Sequence, residues 1–223
     1  DKVNVKWGDV IGISQTKEEA WETVKLLKDR NLVKATGGKI IKGMIMFGPP
    51  GCGKTYLAKA IATESGFPFI SIACTDVVGI YVGEGGRKMK EIFQEARAMA
   101  KAEGGCIIFF DEIDAFATPR WTASDLGASR SHSATVNQFL SEIDGLRQTE
   151  NNIFVMGATN VQEKNIDPAI LRAGRLERKL YFQKPNLGDR QDLFQFYLKK
   201  VKIDPAVDIK LLASISVDFT PAE

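Results

Sequence analysis

Lys54 and Thr55 close an octet, GPPGCGKT from Gly48 to Thr55, whose residue types can hold a triphosphate. Its glycines let several backbone N–H groups converge on phosphate oxygens, the Lys54 ammonium reaches the β- and γ-phosphates, and the Thr55 hydroxyl is a ligand for Mg²⁺. The apolar run Met44 to Phe47 precedes the octet and the helix-forming stretch Tyr56 to Ala62 follows it, which is the strand, loop and helix order this chemistry needs. With ordinary residue frequencies the pattern arises by chance in roughly one chain in a hundred of this length, and the flanks lower that further. Pro50, Gly51, Cys52, Gly53, Lys54, Thr55 and Tyr56 are the expected nucleotide contacts.

A second run carries acid. Cys106 to Phe110 is apolar throughout and ends in Asp111, Glu112, Ile113 and Asp114. Acids at the carboxyl end of a parallel strand sit where open α/β sheets bind ligands. Asp111 is placed to hold Mg²⁺, directly or through water, and Glu112 to take a proton from an attacking water or to orient it. Alone, such a cluster reads equally well as a solvated strand end; beside a phosphate loop the catalytic reading is preferred.

These groups need elements to position them. Strand-like runs fall at 44–47, 69–73, 106–110, 152–158 and 178–182, and helical patterns at 15–31, 54–64, 87–102 and 132–143. Strands alternating with helices imply βαβ crossovers, hence an α/β P-loop NTPase fold with a parallel five-stranded sheet flanked by helices. Gln183 to Gly188 reads as a hinge, and helical patterns at 189–202 and 208–215 as the start of a small α-helical lid. The expected division is a nucleotide-binding domain over 1–185 and a partial lid over 186–223.

Composition narrows the setting. Thirty basic and 28 acidic residues leave a net charge of +2, which gives no global field for nucleic acid or an acidic membrane. Cys52, Cys74 and Cys106 have no metal-ligand spacing, and a reducing, cytoplasm-like compartment (cytoplasm, matrix or stroma) fits them best. Apolar runs stop far short of the ~20 residues that span a bilayer, and no signal peptide begins the chain, so a soluble domain is expected. Any membrane anchor, at a cytoplasmic face, would lie in segments outside residues 1–223.

Together the motifs resemble the AAA+ ATPases, from about Val5 to the end of the chain. The order Asp9 to Gly12, GPPGCGKT, a YVG loop, IIFFDEID, Gly157 to Asn160 and Asp167 to Arg175 is similar to the protein-remodelling clade, and above all to the ATPase module of membrane-anchored FtsH-type metalloproteases. The resemblance implies ATP and Mg²⁺ as ligands, with Val10, Ile11 and Gly12 packed on the adenine and Asn160 as a sensor of the γ-phosphate. Arg172 and Arg175 resemble arginine fingers that act on a neighbouring subunit's nucleotide within a hexameric homo-oligomer. Tyr81 and Val82 resemble a pore loop that grips polypeptide substrates, and Asp144-Gly145 an intersubunit signalling segment. Ala173 stands where the family often has proline, which is expected to loosen that turn. Tyr81 stands where FtsH-type chains usually have Phe, and the segment from Trp121 to Ser133 lacks their His-and-acid-rich stretch. No HExxH occurs and His132 is the lone histidine, so no peptidase zinc site is expected within these residues. Two other readings stay open: a nucleic-acid-directed motor, which the balanced charge does not favour, and an ATP-loaded switch, against which Glu112 speaks.

Overall fold

The strand runs that begin at Gly43, Cys106 and Ile153 are buried on both alternating faces, and the computed structural model shows what covers them. It describes residues 4–29, 41–78, 84–118, 126–146, 152–202, 204 and 207–223, with side chains in the segment from 126 described from Ser133 onward. Five parallel strands, β1 (Gly43–Phe47), β2 (Phe69–Ala73), β3 (Cys106–Asp111), β4 (Ile153–Thr159) and β5 (Arg178–Tyr181), form one sheet in the order β2-β3-β4-β1-β5. The parallel pairing expected from alternating elements is what the molecule has.

The period of two divides the core. Met44, Met46, Ile107 and Phe109 face helices α1 (Ser14–Lys28) and α2 (Lys54–Ser65), where Val24, Leu57 and Ile61 are buried. Ile45, Phe47, Ile108 and Phe110 face the other layer, α4 (Glu84–Glu103) and α6 (Leu126–Gly145), reached after the short α3 (Cys74–Val78) and separated by the short α5 (Asp114–Ala117). There Phe93, Phe110, Phe116 and Phe139 make mutual stacked and edge-to-face contacts with centroids 5.2 to 6.3 Å apart. Burying each such ring contributes about 1.5–3 kcal/mol, so this face fixes how α4 and α6 lie on the sheet.

Register then sets the site. Phe47 lies beside both Thr159 and Tyr181, and Asp111 beside Ala73, so the carboxyl ends of all five strands open on one edge. Beyond β5 the expected hinge is shorter than its composition suggests. Asn186 caps α7 (Leu187–Leu198) by accepting from the Asp189 amide at 2.9 Å, while Asp189 accepts from the Asn186 amide at 3.3 Å. Leu187 and Gly188, read from sequence as breakers, are therefore helical. The buried Arg190 guanidinium donates to Pro185 O and Ala213 O, both at 2.9 Å, joining α7 to the connection before it and to α8 (Ile209–Ile215).

Candidate active site

Gly48 leaves β1 with φ +150°, and a Cβ there would stand 2.5 Å from the Phe182 carbonyl oxygen. Only glycine lets the chain turn this close to the end of β5. Gly53, at φ +85°, then caps α2 in the left-handed region, and Lys54 is the first helical residue. Its side chain folds back over the loop. Lys54 Nζ donates to Gly48 O at 2.6 Å, Pro49 O at 2.8 Å and Asn160 Oδ1 at 2.8 Å. Burial pushes this ammonium below the ordinary lysine range, and the charges of Cys52, Asp111 and Asp114 partly offset that.

Thr55 Oγ1 donates to Asp111 Oδ2 at 3.0 Å, joining the two groups that sequence assigns to Mg²⁺. Asp111 Oδ1 accepts the Glu112 amide at 3.0 Å. Glu112 itself has φ +53°, which non-glycine residues seldom adopt, and its side chain is exposed. The Ile113 amide, donating to Ala158 O at 2.9 Å, ties this acid turn to β4. Thr159 Oγ1 donates to Asp114 Oδ1 at 2.6 Å, so the turn is also tied to the residue before Asn160. A hydroxyl beside a carboxylate is a hard oxygen pair, which suits Mg²⁺.

A cleft of about 490 Å³ brings these residues together. Val10, Ile11, Pro50, Gly51, Cys52, Gly53, Lys54, Thr55, Tyr56, Asp111, Glu112 and Asn160 all line it. Gly12 does not; it turns the chain at φ +84° just beside the cleft, where Leu193 packs so closely that a Cβ would meet its Cδ1 at 2.6 Å. Ile13, Leu193, Tyr197, Pro221 and Ala222 also line the cleft, beyond the residues that the sequence motifs mark. Leu193 and Tyr197 stand four apart on α7, a spacing that marks one helix face; no motif marks Pro221 or Ala222. Ser14 Oγ donates to Asp189 at 2.6 Å, a second tie from the segment after Gly12 to α7.

Arg172 and Arg175 lie elsewhere, and neither lines this cleft. Their turn is closed without proline at 173. The Arg175 amide donates to Arg172 O at 3.0 Å, the Leu176 amide to Ile170 O at 3.1 Å, and the Gly174 amide to the Glu177 carboxylate at 3.1 Å. Tyr81, Val82 and Trp121 lie outside the described residues, as does the side chain of His132. All three thiols are buried; burial raises Cys52 and Cys74, and pushes Cys106 up to about 12, so none is a ready thiolate. Among the described residues no helix is long and apolar enough to cross a membrane.

A P-loop at the end of β1, an acid turn on β3 and Asn160 after β4 define a nucleoside-triphosphatase of the AAA type. The model of the ATPase family associated with various cellular activities (AAA) matches residues 44–184, and the chain belongs to that family. Over 223 residues it is 39% identical to the ATP-dependent zinc metalloprotease FtsH of Chlorobium luteolum, covering all of this chain and 31% of that protein. It is 38% identical over 221 residues to ATP-dependent zinc metalloprotease FtsH 2 of Bdellovibrio bacteriovorus, covering 99% of this chain and 35% of that one. It is also 38% identical over 223 residues to the mitochondrial inner membrane m-AAA protease component yta12 of Schizosaccharomyces pombe, covering 99% of this chain and 28% of that one. The chain thus spans about a third of the length of these curated relatives.

Proposed function

We propose that the chain hydrolyses ATP at this cleft and, as the ATPase module of a longer FtsH-type protein, drives the unfolding or translocation of polypeptides. The observation that carries the reading is the pair of hydrogen bonds Lys54 to Asn160 and Thr55 to Asp111, which draws three distant motifs to one point beside Glu112. Lys54 exchanges its carbonyl and amide acceptors for phosphate oxygens. Mg²⁺ held at Thr55 and Asp111 would neutralise charge on those oxygens. Glu112 accepts the proton of a water whose oxygen attacks the γ-phosphorus; the bond to the β–γ bridging oxygen breaks, and ADP and phosphate leave. Val10, Ile11 and Tyr56 cover the base and sugar, together with Leu193 and Tyr197.

Asn160 positions the γ-phosphate, and an arginine from the loop around 172–175 acts in trans in a homo-oligomeric ring of six. Tyr81 and Val82 grip substrate, residues 1–185 form the nucleotide-binding domain, and residues 186–223 begin the lid. The chain's similarity to a zinc metalloprotease and to a mitochondrial inner membrane protease component supports attachment to a membrane and to a protease through segments outside these residues. Glu112→Gln is expected to keep ATP affinity and lower turnover by about 10²–10⁴-fold, whereas Lys54→Ala loses binding. Turnover at the parent rate in Glu112→Gln would remove Glu112 as the base.

A further inference from the structure

Arg172 and Arg175 look equivalent in sequence, yet their surroundings differ completely. Arg175 is held by a fork. Its Nε and Nη2 donate to the two carboxylate oxygens of Asp144 at 3.1 and 2.7 Å, and its Nη1 donates to Ala169 O at 2.6 Å. All three guanidinium nitrogens are engaged, and the side chain is only 16% exposed. The backbone at this position is equally fixed. Leu176 is fully buried, and the Arg175 carbonyl packs so closely on β1 that a Cβ on Gly43 would approach it to 2.8 Å. Arg172 is exposed, and its guanidinium has no hydrogen-bond or ion-pair partner among the described residues. Its carbonyl accepts the Arg175 amide at 3.0 Å, the hydrogen bond that closes the turn.

Asp144, with its side chain 42% exposed, is fixed by the helix that carries it. It lies in the last turn of α6, two residues after Glu142, which pairs with Arg97 of α4 and accepts from Gln138 at 2.8 Å. The carboxylate that grips Arg175 is thus carried by the packed α4–α6 layer, and Ala169 belongs to the loop that leads to Arg172. Arg175 braces that loop against the layer at two points.

We propose that Arg175 is an internal clamp, a positioning residue that joins the finger loop to the end of α6 through Asp144, and that Arg172 alone reaches the neighbouring subunit's nucleotide. The proposal rests on the trans mechanism above and divides its two arginines by role. A bidentate carboxylate partner satisfies the same planar donor fork that would otherwise recognise phosphate, so Arg175 cannot serve both at once. It also gives the Asp144-Gly145 segment a partner inside its own chain.

The test is ATP turnover per subunit and ATP affinity of the assembled protein, at concentrations where turnover per subunit has reached its plateau. Asp144→Asn and Arg175→Ala are each expected to lower turnover about tenfold, and the double variant to fall no further, because both remove one interaction. ATP affinity stays within about twofold in all three, whereas a general loss of structure would weaken it too. The D144R/R175D exchange is expected to turn over faster than Arg175→Ala. Parent-like turnover in Asp144→Asn beside a large loss in Arg175→Ala would overturn the clamp, because Arg175 would then act without Asp144. An exchange variant that binds ATP yet is no faster than Arg175→Ala would overturn it as well; if it does not bind ATP, the Asp144→Asn comparison decides. A Glu112→Gln variant at parent rate would instead remove the hydrolytic reading on which the clamp depends.

Discussion

Lys54 shows how a single side chain is prepared for an anion. Two carbonyls and an amide oxygen surround its ammonium, and none of them carries a formal charge to match it. Burial accordingly lowers its pKa, the largest of the influences upon it. Between that lowered value and the ordinary one, the unfolded chain keeps the proton while the folded chain releases it. Raising pH through this window therefore adds stability to the ligand-free protein, and under the proposed function it removes the cation that would pair with triphosphate. ATP affinity measured by calorimetry over about pH 7 to 10 is expected to weaken at lower pH than an exposed lysine would titrate. Lys54→Arg, permanently charged, should flatten the profile whatever its absolute affinity. A parent profile as flat as that of Lys54→Arg would mean the ammonium does not titrate in this range.

At the scale of elements, the phosphate loop depends on two glycines for different reasons. Gly48 needs both its φ of +150° and the absence of a Cβ, because the Phe182 backbone occupies that space. Gly53 needs only its left-handed φ, since nothing lies within 4 Å of a Cβ there. Gly53→Ala is expected to cost about 1–2 kcal/mol from backbone conformation alone. Gly48→Ala should cost more, because the end of β5 must also move away from the end of β1, and it should weaken ATP binding as well. Urea midpoints with unchanged slopes would measure both costs. Equal costs at the two positions would show that the contact with Phe182 yields freely. The same close approach sets the strand end of the loop against the end of β5.

For the whole molecule, the cleft gathers the phosphate loop, the acid turn and Asn160, and the loop bearing Arg172 and Arg175 lies outside it. Under the proposed trans mechanism, full rate requires a neighbour. Turnover per subunit is expected to rise with protein concentration as rings form, and an upstream oligomeriser should raise it further by increasing effective concentration. Mixing inactive Glu112→Gln chains with inactive Arg172→Ala chains should restore part of the activity, since some interfaces then pair an intact base with an intact finger. A rate per subunit that stays flat while sedimentation shows monomer throughout would remove the ring from the mechanism.

Features that depend on local spacing can be read from the chain alone. The octet ending at Lys54 and Thr55, the acids after an apolar strand, and the alternation of strand and helix were legible because a phosphate loop and βαβ crossovers tolerate few other patterns. Element ends were less legible: α6 begins at Leu126, six residues before its apolar periodicity, and α7 begins at Leu187 because a capping box overrides the breaker composition. The strand order β2-β3-β4-β1-β5 was not in the sequence, since apolar runs buried on both faces carry no label for their neighbours. Nor were Leu193, Tyr197, Pro221 and Ala222 as walls of the cleft, because the tie of Ser14 to Asp189 and the packing of Leu193 on Gly12 join segments far apart in the chain. The clearest case is the arginine pair. Two identical side chains three residues apart offer identical chemistry to a reader of sequence, and only the folded chain, by setting the Asp144 carboxylate against one of them, gives them different partners.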